Sequence, residues 1–131
     1  MKFLVTGGAG FIGSNLVKFL CDQKHNVVVV DDLSWGYRRL IDKRANFIFG
    51  KIQDRQLMEK ALKGVDTVFH LAALSTINLS LKKPVAYFEN NIMNALQLLE
   101  AMKKTGVKKI VFSSSSSAGA ARPCTSPGRA A

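Results

Sequence analysis

Apolar residues along the chain switch between two periods. A short run, Lys2–Thr6, stops at a glycine pair, as a strand buried on both faces does. From Phe11 to Gln23 the apolar positions return at helical spacing through Ile12, Leu16, Phe19 and Leu20. Asn26–Asp31 holds four consecutive valines, whose branched side chains favour a buried strand. Asn46–Gly50 is a third strand centred on Phe47-Ile48-Phe49. Asp54 is placed to cap a helix through Leu62, with Leu57, Met58, Ala61 and Leu62 on one face. Asp66–His70 is a fourth strand. A long helix from Pro84 to Lys104 follows, with Pro84 in its first turn, where a missing N–H costs nothing. Val85, Phe88, Ile92, Leu96, Leu99 and Met102 form its apolar stripe. Lys103-Lys104 complements the dipole of its last turn and Gly106 stops it. Lys109–Ser113 is a fifth strand.

Strands and helices alternating at this spacing predict an α/β fold with a doubly wound parallel sheet, joined by right-handed crossovers in the order 3-2-1-4-5. The expected domain covers residues 1–117, truncated after the fifth strand. Residues 118–131 contain no Val, Ile, Leu, Met, Phe, Tyr or Trp and are expected to be a disordered or out-of-frame tail.

Composition changes little in this picture. The chain is 47% hydrophobic and 21% charged, with no apolar run near the ~20 residues a membrane helix needs and with glycines interrupting the start before a signal-peptide core is complete. Cys21 and Cys124 lack metal-ligand spacing and are expected to be reduced thiols of a cytoplasmic protein. No metal site is expected. The net charge of +10 raises nucleic acid as a partner. The basic residues, however, occur as scattered pairs at expected helix ends and loops, without a recognition motif, so a solvated surface is the simpler expectation.

The candidate chemistry lies at Thr6-Gly7-Gly8-Ala9-Gly10-Phe11-Ile12-Gly13. Gly7, Gly10 and Gly13 give a G-x-x-G-x-x-G spacing between a strand and a helix. The first glycine permits the sharp turn, the second lets backbone approach a pyrophosphate, and the third lets the helix pack on the sheet. Free N–H groups at the helix start then face the phosphates. Asp31 and Asp32 end the second strand, 18 residues past Gly13. A carboxylate there accepts from both hydroxyls of an adenosine ribose and repels an added 2′-phosphate, which favours NAD over NADP. This makes the expected sheet Rossmann-like.

The segments TGGAGFIGS, VVVVDDL, VDTVFHLAA, PVAYFENNIMNALQLLEA and KKIVFSSS resemble the extended short-chain dehydrogenase/reductases, and among them the NAD-dependent epimerase/dehydratase family that acts on sugar nucleotides. The resemblance covers residues 1 to about 117. It implies that Phe11 and Ile12 offer N–H groups to the pyrophosphate and that residues 31–36 surround the ribose. It implies that Leu71, Ala72, Ala73, Leu74 and Ser75 line the nicotinamide side. Asn90 contacts the cofactor or braces that loop, with Asn91 the rival for bracing, and Ser115 matches the family's active-site serine. It further implies a nucleotide-sugar substrate and a homodimer formed through helix 84–104. One departure stands out. Where the family carries an aspartate for the adenine amino group, this chain has Lys51, which has no acceptor, leaving backbone at Ile52 as the substitute.

The family's hydride chemistry needs Tyr-x-x-x-Lys. Tyr37 and Tyr87, the two tyrosines, are followed four residues on by Ile41 and Asn91. The chain alone is therefore expected to bind NAD without turnover. A non-catalytic dinucleotide-binding or dimerising module and a small basic nucleic-acid binder are the competing readings. His25 and His70 are expected to be structural.

Overall fold

A computed structural model describes residues 1–74 and 77–114, with backbone alone for 77–79. Ser75, Ser115 and the expected tail lie outside the described residues. Five strands, β1 (Lys2–Thr6), β2 (Asn26–Asp31), β3 (Asn46–Phe49), β4 (Thr67–His70) and β5 (Ile110–Phe112), form one sheet in the order β3-β2-β1-β4-β5. Every pairing is parallel, with Val5 opposite both Val29 and Phe69. The order and strand positions are those the alternating pattern predicts.

The helices are α1 (Phe11–Asp22), α2 (Arg55–Ala61), α3 (Ile77–Lys82), α4 (Pro84–Phe88) and α5 (Asn94–Thr105). Because side chains alternate along a strand, the sheet feeds two cores. Leu4, Val28, Val30 and Val68 point to the layer that holds Met58 and Leu62 at α2 with Leu98, Ala101 and Met102 of α5. Phe3, Val5, Val27 and Val29 point to the opposite layer, where Val17, Leu20 and Cys21 of α1 and Ile41 pack. Burial raises the pKa of the free Cys21 thiol, aided by the carboxylate of Asp42. Asp54 caps α2 by accepting from the Leu57 N–H at 3.0 Å, and Gly106 ends α5 at φ 78°, both as expected.

Two features differ from the sequence reading. The helix begun at Pro84 is not uniformly α: Glu89–Met93, between α4 and α5, is a π turn. The expected apolar stripe is also not the buried one. Val85, Phe88, Ile92, Leu96 and Leu99 are exposed, and of the six only Met102 is buried. The sheet instead receives Asn94, Leu98, Ala101 and Met102. On α1 likewise Phe19 and Ile12 face outward, while Gly13, Ser14, Val17, Leu20 and Cys21 are buried. The reason is the same in both. The buried face includes small residues, Gly13 and Ser14 on α1 and Ala101 on α5, which allow close approach to the sheet.

Candidate functional site

Parallel sheets of this kind place ligands outside the carboxyl ends of their strands, and a cleft lies there. It is bounded by the loops after β1, β2, β3 and β4 and by the helix segment carrying Asn90 and Asn94. Its floor is the glycine turn. Gly7 has φ +73°, and a Cβ there would stand 2.7 Å from the Ala72 backbone nitrogen, so side chains are excluded on both conformational and steric grounds. A Cβ on Gly13 would run into the Gly7 carbonyl oxygen. This is the close helix–loop packing the spacing predicts. A Cβ on Gly10, by contrast, would meet only the Gly7 oxygen at 3.4 Å and otherwise project into free space. Gly10 also lines the cleft, so this free space is room for a ligand.

Gly10 is the N-cap of α1 and contributes no side-chain hydrogen bond, so the first-turn N–H groups, Phe11 and Ile12 among them, have no side-chain cap. Such a helix start, with its partial positive charge, suits a phosphate. The side chains of Phe11 and Ile12 are themselves exposed and do not line the cleft, which leaves backbone as their means of contact.

Asp31 and Asp32 both line the cleft but are wired differently. Asp31 Oδ2 accepts from the Ala9 N–H at 2.9 Å and Oδ1 from the Leu33 N–H at 2.8 Å. The carboxylate is thereby clamped between the glycine turn and the loop after β2, with lone pairs remaining on each oxygen. Asp32 Oδ1 accepts from the Ser34 N–H at 3.0 Å and from the Ser34 hydroxyl. It thus closes a local turn. The chain passes this point through Leu33 in the left-handed region, φ 58°. Gly36 then packs against Ala9, and the Tyr37 N–H donates to the Ala9 carbonyl at 3.0 Å. Ala9 is therefore held from both sides.

The far wall is the loop after β4. Leu71, Ala72, Ala73 and Leu74 line the cleft. Asn91 braces this loop in bidentate fashion: its Nδ2 donates to the Leu74 carbonyl and its Oδ1 accepts from the Leu74 N–H, each at 2.8 Å. Of the two neighbouring asparagines, Asn91 is the brace. Asn90 lines the cleft and reaches the same network by donating to Asn91 Oδ1 at 3.1 Å. Asn90 and Asn91 lie within the π turn, and wide turns of this type often accompany functional sites.

At the β3 end, Ile52 is buried while Lys51 and Gln53 are exposed, and all three line the cleft. His70, at the end of β4, is buried and shares a 2.7 Å hydrogen bond with the Thr6 hydroxyl. Burial lowers its pKa. This buried, bonded position accords with a structural role. The sequence reading missed Asn94, a buried polar residue on the cleft wall. Its position four residues after Asn90 is the signal that could have found it. No cluster of three or more metal-ligating side chains occurs among the described residues. No described helix is long and apolar enough to cross a membrane.

This geometry agrees with what the chain is similar to. UDP-glucose 4-epimerase of Lactobacillus helveticus is 44% identical over 117 residues, which is 88% of this chain and 36% of that enzyme. Among solved structures, UDP-glucose 4-epimerase from Thermotoga maritima with UDP-glucose is 43% identical at a TM-score of 0.83, covering 88% of this chain and 38% of that one. The Thermus thermophilus UDP-glucose 4-epimerase in complex with NAD is 39% identical, also at 0.83, with 88% and 38% covered. The chain thus spans little more than a third of the length of these relatives. Residues 3–129 match the NAD dependent epimerase/dehydratase family, and the chain belongs to that family.

Proposed function

We propose that this chain binds NAD across the carboxyl edge of its sheet, as the nucleotide-binding part of a sugar-nucleotide epimerase or dehydratase. The observation that carries the reading is the Asp31 carboxylate, fixed by the Ala9 and Leu33 N–H groups beside the uncapped start of α1. Phe11 and Ile12 offer backbone N–H groups to the pyrophosphate. Gly7, Gly10 and Gly13 keep that approach clear. Asp31 holds the adenosine ribose hydroxyls, with Asp32 shaping the loop around them. Leu71, Ala72 and Ala73 flank the nicotinamide side with Ser75, and Asn90 contacts the cofactor there. NAD, when bound, supplies a hydride acceptor. Ser115 is the residue of this chain proposed to meet the substrate, a nucleotide sugar. The chain holds no Tyr-x-x-x-Lys, so by itself it binds without turnover.

The exposed stripe of Val85, Phe88, Ile92, Leu96 and Leu99 supports a further part of the reading, a homodimer formed through the long helix.

Trp35, the sole tryptophan, lines the cleft while remaining exposed, so its emission reports on occupancy. Titration with NAD is expected to give a saturable change. Asp31→Ala is expected to weaken binding by about tenfold or more, the scale of a lost hydrogen bond to a charged group. An unchanged affinity in that variant, or no saturable response from the unmodified chain, would refute the reading.

A further inference from the structure

Among the described residues, one buried side-chain polar atom of the cleft wall is without a partner. Asn94, at the start of α5, is only 5% exposed, and its Oδ1 is sealed from solvent with no donor in reach. Its Nδ2 makes a long 3.4 Å bond to Asn90 Oδ1. A buried carbonyl oxygen left without a donor costs about 1–3 kcal/mol, and proteins rarely leave one so unless something else meets it. The side chain lines the cleft, and Leu98, one turn further on, shares its core cluster with Ile52 and Ala72. Asn94 therefore sits where the cleft meets the wall formed by the loops after β3 and β4.

The chemistry of the β3 end makes this acceptor matter. Lys51 offers donors only. Ile52 has an apolar side chain and can offer only its backbone, and Gln53 is exposed. With the ribose at Asp31, the purine falls against this end of the cleft, and its 6-amino group needs an acceptor. We propose that Asn94 Oδ1, turned toward the cleft by rotation of its amide, is that acceptor, so that an amide on the helix reads the adenine base. The proposal rests on the cofactor reading above. A water shared with the nearby Gln97 Oε1, also buried without a donor, is the competing partner for Asn94.

The test compares NAD with nicotinamide hypoxanthine dinucleotide, whose 6-oxo group sets acceptor against acceptor. Trp35 emission and calorimetry on the whole chain provide the readouts. The unmodified chain is expected to favour NAD by about tenfold, the upper end for one neutral hydrogen bond. Asn94→Leu, which keeps the branching of the side chain and removes the orphaned acceptor, is expected to bind the two dinucleotides within about twofold of each other. Asn94→Ser serves the same comparison if the leucine variant fails to fold. Lys51→Ala is expected to leave the preference in place. Saturable binding with the same preference in the Asn94 variants, as a bridging water would give, or with no preference in the unmodified chain, overturns this assignment alone. Failure of both dinucleotides to bind overturns the cofactor reading and the assignment with it.

Discussion

Single side chains set the shape of the cleft before any ligand arrives. Asn91 is the clearest case, since both halves of its amide are engaged by Leu74. Asn91→Ala leaves that backbone N–H and carbonyl without their partner, at a cost of about 1–3 kcal/mol. The expected outcome is a lower urea midpoint together with weaker NAD binding, and a variant with unchanged values for both would show that the brace is idle. His70 makes a pH-dependent contribution. Burial lowers its pKa in the folded chain, so the unfolded chain takes up a proton first, near pH 6.5. The stability associated with neutral His70 is full above that pH and is lost as pH falls toward the folded value. Thermal melts from pH 8 to pH 5 are expected to show a falling midpoint, with a shallower fall in His70→Leu.

At the level of elements, the glycine turn depends on contact between α1 and the loop that precedes it. Gly13→Ala would press a methyl group into the Gly7 carbonyl oxygen, backbone against backbone. A destabilisation of about 1–3 kcal/mol, as overpacking gives, is expected in chemical denaturation. Strand positions and sheet order were legible in the sequence because Val27–Val30 and the other apolar runs admit one reading as buried parallel strands. Asp54 and Gly106 likewise announced a helix start and a helix end through local chemistry that needs no tertiary context. Which face of the long helix is buried was not legible. Val85, Phe88, Ile92, Leu96 and Leu99 make the more apolar stripe, yet Asn94, Leu98 and Ala101 go inward. Periodicity shows that a stripe exists and not what covers it. Polarity misleads here as well, because an asparagine such as Asn91 can face inward once loop backbone satisfies it. The glycine turn and the placing of Asp31 beside it were legible because their spacing reflects backbone geometry, whereas the π turn that carries Asn90 and Asn91 leaves no simple mark on the sequence.

For the molecule as a whole, the long helix is a wall with two different sides. Asn90 and Asn94 line the cleft on one side, and the apolar stripe faces outward on the other. Leu96→Glu is expected to shift sedimentation toward the monomer while leaving thermal stability near that of the parent, because Leu96 is 51% exposed; an unchanged sedimentation profile would exclude this stripe as the contact between copies. A helix is only about 10 Å across, so a neighbour seated outside and a dinucleotide held inside would press on the same rod. Thermodynamic reciprocity then requires that, if assembly changes coenzyme affinity, the coenzyme changes assembly by the same factor. Dilution would become a control on cofactor retention, exerted through a single turn of backbone.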